Sequence, residues 1–140
     1  MTVANSNQSF GLRYMQLDIS RETAHELPGV NFTNSIKLCE FVSCVSSNET
    51  GMVCFLKVSF DDPKALENGN PAFELLEVIS QTKNAALIKA QTLGPLPRVF
   101  SSNEEVWWIS PTYVNRNGMK ITLKGTRKGM RSVREELFKL

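Results

Sequence analysis

Apolar and polar positions alternate with a period of two over Leu12–Ile19, where Leu12, Tyr14 and Gln16 oppose Met15, Leu17 and Ile19. That pattern predicts a half-buried strand. Arg21–Leu27 reads as a short helix capped by Ser20 and stopped by Pro28-Gly29. Ile36–Ser46 and Met52–Phe60 are rich in Val, Ile, Phe and Cys and flank the turn signal 47–51, so together they predict a hairpin. Asp61-Asp62-Pro63 carries helix-start chemistry, an acidic cap with proline in the first turn. Asn68-Gly69-Asn70-Pro71 interrupts that element. Ala72–Ser80 then spaces Phe73, Leu76 and Ile79, or Leu75 and Val78, by three or four residues, which predicts a helix.

Ala85–Leu93 predicts another strand, broken by Gly94-Pro95-Leu96-Pro97. Val106–Ile109 is apolar and aromatic. Thr112–Asn115 and Met119–Lys124 flank Asn117-Gly118, a strong two-residue hairpin signal that would pair Val114 with Ile121. Met119, Ile121 and Leu123 then share one face, and Lys120, Thr122 and Lys124 the other. Gly125-Thr126 ends that strand and opens a last helix. Its core stripe is Met130, Val133, Leu137 and Leu140, with Arg127, Arg131 and Arg134 beside it. The element order predicts an α/β (α+β) fold: a ferredoxin-like βαββαβ antiparallel sheet with an added C-terminal hairpin and helix. It forms one domain over 10–140, behind a polar, flexible tail at 1–9. No internal repeat at a fixed period is visible.

Composition narrows the class. At 140 residues, 41% hydrophobic and 21% charged, the chain is ordinary for one globular domain able to bury a core without staples. No apolar run reaches the roughly 18–20 residues of a membrane span, and the N-terminus lacks the basic start of a signal peptide, so a cytoplasmic location is the default. The Asn-x-Ser/Thr sequons at Asn7, Asn31 and Asn48 are then chance matches. Three cysteines argue against a disulfide framework. From Arg116 onward eight basic and two acidic side chains leave a surplus of six positive charges, whereas residues 1–115 carry four more acids than bases. A basic end on an acidic body predicts an anionic neighbour: nucleic acid, a phosphate ligand or the chain's own acidic face.

Four constellations carry the candidate chemistry. Arg127, Arg131 and Arg134, with Lys124 and Lys120 near in sequence, form an anion-binding candidate, although a solvated helix face explains them as well. No paired short helices of a DNA-reading motif are visible. Adjacent Trp107 and Trp108 point to opposite faces of a strand, so one belongs to the core and the other, with Tyr113, to a ligand pocket or interface. Cys44 and Cys54 fall opposite each other if the turn is centred on Glu49, a close thiol pair suited to redox change or a soft metal, or simply two buried residues. Strand parity places Cys39 on the other face from Cys44, and no second cluster completes a zinc site, so no metal or cofactor is expected. His25, the one histidine, sits near Glu22 and Glu26 without a visible nucleophile. The acidic pairs Asp61-Asp62 and Glu104-Glu105 read as boundary residues.

The run Trp108-Ile109-Ser110-Pro111, the strand pair around Asn117-Gly118, and Met119–Gly125 leading into the helix from Thr126 resemble the end of the N-terminal domain of archaeal bacterio-opsin-activator-type transcription regulators. Leu12–Leu17 is similar to the first strand of that domain. The likeness covers the first strand and the last third of the chain. It implies a non-enzymatic regulatory domain that senses a small molecule or dimerises. The helix-turn-helix that follows in that family would lie outside this chain, so contact with DNA would be indirect. Two other classes stand beside it: a stand-alone interaction module docking through a sheet edge or aromatic patch, and a small enzyme using His25 or a cysteine.

Overall fold

The computed structural model describes residues 2–7, 11–26, 36–48, 51–67, 73–101 and 103–139. Strands are β1 (Thr2–Asn7), β2 (Leu12–Ser20), β3 (Ile36–Asn48), β4 (Gly51–Phe60), β5 (Phe73–Gln81), β6 (Ala85–Thr92), β7 (Val106–Asn115) and β8 (Gly118–Thr126). Helices are α1 (Arg21–Glu26), α2 (Pro95–Ser101) and α3 (Arg127–Leu137), with a 3₁₀ turn at Pro63–Leu66. Among the described residues the eight strands form one sheet in the order β1-β2-β8-β7-β3-β4-β6-β5, and every pairing is antiparallel.

This mostly β architecture replaces the predicted ferredoxin-like βαββαβ plan. The decisive difference is Phe73–Gln81, expected as a helix and folded as edge strand β5. Its ladder with β6 shifts register at Leu75/Glu77 and again at Val78/Ser80, leaving Leu76 and Ile79 without a partner. Phe73, Leu75, Val78 and Gln81 therefore face Thr92, Ala90, Ile88 and Ala86, at spacings of two, three and three. Two bulges in one strand imitate helical periodicity. Thr2–Asn7, read from sequence as tail, pairs with β2. The Gly94–Pro97 break contains the start of α2, where proline in the first turn costs no intrahelical hydrogen bond.

Where local chemistry is strong the expected elements stand. Ser20 accepts the Thr23 N–H at the head of α1, Asp62 accepts the Lys64 N–H at the 3₁₀ turn, and Thr126 accepts the Gly129 N–H at α3. Each second strand of a hairpin leads into a helix or helical turn, so the chain runs as four successive units of that kind. The last hairpin slips from its predicted register. Asn115 pairs with Gly118 and Val114 with Met119, so the turn residues are Arg116 and Asn117. The physical reason is Gly118, which packs so closely on β2 that an added Cβ would run into the Ile19 carbonyl oxygen. The slip is two residues in sum, so Met119, Ile121 and Leu123 keep their common face.

One face of the sheet is the core. Met15, Leu17, Ile121, Leu123, Leu56, Val58 and Ile88 are buried there, covered by α3 through Met130, Val133 and Leu137 and by α2 through Val99 and Phe100. Leu140 lies outside the described residues. The other face is a solvated row of cross-strand neighbours: Asp18, Lys120, Tyr113, Glu40 and Lys57 succeed one another across five strands. The Asp18–Lys120 ion pair is 3.8 Å long, and Lys124 sits 5.2 Å from the Tyr14 ring centre.

β3 and β7 meet at three residue pairs, Leu38–Asn115, Cys39–Val114 and Glu40–Tyr113, and then diverge. The sheet is thus two four-stranded halves joined at a short seam. On the β7 side the ladder to β8 is irregular between Ile109 and Tyr113, around the cis Ser110–Pro111 peptide. Thr112 repairs it: its buried hydroxyl donates to the Ile109 carbonyl at 2.7 Å and accepts the Thr122 N–H at 3.0 Å. Thr112→Val keeps the shape and removes both bonds. It is expected to lower stability by about 1–3 kcal/mol, the cost of stranded buried polar groups, measured as a reduced urea midpoint with an unchanged m-value.

Candidate functional site

The two tryptophans part as expected. Trp108 is 9% exposed and wedged between Phe41 of β3 and Phe100 of α2, edge-to-face, with centroids 5.5 and 5.3 Å away. It fills the gap the diverging strands would leave. Its indole Nε1 is buried and finds no hydrogen-bond partner among the described residues, so the ring acts through its apolar surface. Trp107 lies on the solvated face, 43% exposed. Tyr113 shares that face, but their ladder partners Lys124 and Lys120 are four residues apart on β8. That spacing separates the two rings by about 13 Å. The three aromatic residues are not brought into one pocket. Tyr113 lines a shallow hollow of about 470 Å³ with Asp18, Asn115 and Lys120.

The anion candidates also divide. Arg127, Arg131 and Arg134 lie along α3, and none forms an ion pair among the described residues. Lys124 points to the solvated face of β8, away from the face on which α3 packs, and its cation is engaged by Tyr14. His25 lies in α1, but its side chain is outside the described ones.

The thiols are arranged differently from the parity argument. Cys44 and Cys54 are direct cross-strand partners as expected, but by another route: the turn closes at Asn48–Gly51 rather than being centred on Glu49, and the bulge at Val45 restores the pair. Val42, however, is unpaired in a bulge between Phe41 and Ser43, which inverts parity beyond it. Cys39, Phe41 and Cys44 therefore face Val58, Leu56 and Cys54 on the same side of the sheet. Burial pushes the Cys39 and Cys54 thiols up to about 12. Burial also raises Cys44, opposed by the hydrogen bond from Cys54. Among the described residues no group of three or more His, Cys, Asp or Glu side chains is placed to hold a metal. No helix among them is long and apolar enough to cross a membrane.

Sequence reasoning missed the surface that stands out most. β5 is an edge strand in which Leu76, Val78 and Ile79 are 40–49% exposed. The distal limb of β3, beyond its seam with β7, exposes Val42 and Val45 in the same way. Four of these five residues are the unpaired members of bulges. A groove of about 730 Å³ lies beside β5, lined by Ala65, Leu66, Phe73, Leu75 and Val78 with Glu67 at its rim. The signal in the sequence was an apolar run without lysine or proline, features that edge strands usually carry as protection.

No family model, curated protein or solved structure matches this chain.

Trp108→Ala should cost about 3–5 kcal/mol by opening the seam, whereas Trp107→Ala should change stability by less than about 0.5 kcal/mol. Denaturant midpoints of the two variants test this. In Trp107→Phe the remaining indole emission should be blue-shifted and weakly quenched by acrylamide.

Proposed function

We propose that this chain is a non-enzymatic regulatory module that joins two copies of itself through the edge of its sheet. The observation that carries the reading is β5, an edge strand with Leu76, Val78 and Ile79 exposed. Such an edge is a template for strand addition, and a contiguous apolar edge on a folded domain marks an interaction site. A second copy suits it. In an antiparallel two-fold pairing that sets Leu76 against Ile79, each chain places Glu77 opposite Val78 and Glu74 opposite Gln81. The neighbouring register, with Glu77 facing itself, opposes like charges and is disfavoured.

The small-molecule form of the reading loses its support, because Trp107 and Tyr113, the pair expected to line a pocket, lie about 13 Å apart along the solvated face. Self-association agrees with what the resemblance to bacterio-opsin-activator-type regulators implies. A dimerising domain in the cytoplasm would set the spacing of DNA-binding modules carried outside this stretch. The arginine stripe of α3 would then face the anionic partner of those modules.

Sedimentation equilibrium from about 1 to 100 µM, the range of ordinary reversible association, tests the reading. The weight-average mass should rise from 15.7 kDa toward twice that value. Ile79→Lys should hold it at the monomer value with unchanged circular dichroism, and Val42→Lys should not. A constant monomer mass in the wild type would refute self-association, and loss through Val42→Lys alone would move the interface to β3. Replacing Arg127, Arg131 and Arg134 together by Ala should leave the melting temperature unchanged and elute earlier from heparin in a salt gradient, because counterion release falls with each cation removed. Unaltered elution would remove the stripe from the reading.

A further inference from the structure

The hairpin β3–β4 carries a feature that self-association does not use. Cys44 and Cys54 are Cα partners across the ladder. Directly opposed residues of an antiparallel pair lie about 4.5–5.5 Å apart, inside the roughly 4.4–6.8 Å span of disulfides. Directly opposed residues share a face, and the pair lies between bulges at Phe41/Ser43 and Cys44/Ser46. The Cys54 S–H is hydrogen-bonded to Cys44, and the Cys44 thiol donates to the Ser46 carbonyl at 3.5 Å. Both are free thiols, one exposed and one fully buried. Cys39 is buried four ladder pairs further along, beyond Phe41–Leu56.

We propose that Cys44 and Cys54 are a peroxide-oxidisable pair that closes to a cross-strand disulfide, with Cys44 reacting first and Cys54 resolving. The Cys44 thiolate attacks one peroxide oxygen and the O–O bond breaks. The departing hydroxide takes a proton and leaves as water, and Cys44 becomes a sulfenic acid. The Cys54 sulfur then gives up its proton and attacks the Cys44 sulfur. The S–O bond breaks, and hydroxide leaves with that proton as a second water. Two thiols and one hydrogen peroxide give one disulfide and two waters. The order follows from access: the oxidant reaches exposed Cys44 from solvent, while Cys54 is its buried partner across the ladder. Burial keeps Cys54 protonated until a sulfenic acid forms beside it. The site acts on the distal limb of β3, which has β4 on one side and no strand of β7 on the other. A bridge there pins the register of a hairpin with three bulges.

The proposal stands independently of the oligomeric state. Folded protein is treated with hydrogen peroxide, alkylated and cleaved after glutamate without reduction. Cleavage after Glu40, Glu49 and Glu67 places each cysteine on its own peptide, 27–40, 41–49 and 50–67. The expected product is 41–49 linked to 50–67, about 2 Da below the sum of the two thiol peptides, with 27–40 carrying the alkyl group. Dithiothreitol should restore three alkylated thiols. Cys44→Ser, at an exposed position, should abolish the linked peptide, and Cys39→Ser should leave it. Three free thiols after treatment, oxygen added stably to 41–49, a link through Cys39 or a disulfide between two copies would each overturn the assignment.

Discussion

The structure depends on a short seam. Three ladder pairs between β3 and β7 join two four-stranded halves, and beyond them the strands separate. Backbone hydrogen bonding cannot hold so brief a junction alone, since each bond contributes only about 1 kcal/mol net. The remainder comes from Trp108, which occupies the gap and touches Phe41 on one half and Phe100 on the helix that spans both. An indole buries roughly 150–250 Å², enough to make its position decisive for how the halves are set. The polar side of the seam contributes too. Lys120, Tyr113 and Glu40 run across it in one row, so opposite charges flank the junction on the solvated face.

The order of strands has its own logic. Each unit is a hairpin whose second strand runs into a helix or helical turn. Second strands meet second strands at β2–β8 and β4–β6, and first strands meet at β7–β3. The strands left at the two edges, β1 and β5, are therefore also first strands. Because α2 and α3 return to one face, the opposite face remains open, as antiparallel sheets allow. Among the described side chains of the strands, that leaves the β5 edge and the distal limb of β3 with the exposed aliphatic surface. The joint of two first strands is a contact this chain already makes once within itself.

Much of this was legible in the residues. The alternation of Leu12–Ile19, the hairpin around 47–51, the Asp62 and Thr126 caps and the α3 stripe all express local rules that tertiary packing did not override. The opposed faces of Trp107 and Trp108 followed from period two alone, although which of them was buried did not. Two of the failures share one cause. Periodicity arguments assume an uninterrupted ladder, and both β3 and β5 are bulged. In β5 the extra residues stretched the apolar spacing to three and imitated a helix. In β3 they reversed the parity that had set Cys39 apart from Cys44. The slipped Asn117-Gly118 turn fails for a different reason: Gly118 serves close packing against Ile19, a contact with a strand about a hundred residues away in sequence that no local rule encodes.

The same bulges govern the surface chemistry. A regular strand of this composition would have buried half of its apolar side chains and presented polar ones outward. An unpaired residue belongs to neither face, so Val42, Val45, Leu76 and Ile79 stay exposed although they are aliphatic. Bulges usually protect an edge by twisting it away from partners. Here four of them place an aliphatic side chain where a charged residue would be expected, whereas the first bulge of β3 carries Lys37, which pairs with Asp61. The bulge at Val45 also sets Cys44 opposite Cys54, giving one backbone irregularity two chemical consequences. Deleting Val42 would instead close its own bulge by setting Ser43 directly after Phe41, so Cys44 would keep its face and its partner Cys54. The exposed aliphatic side chain of Val42 and the thiol pair are therefore separable: that deletion would remove one apolar residue from the distal limb and keep the thiols opposed, and the corresponding deletion of Ile79 would alter the β5 edge alone.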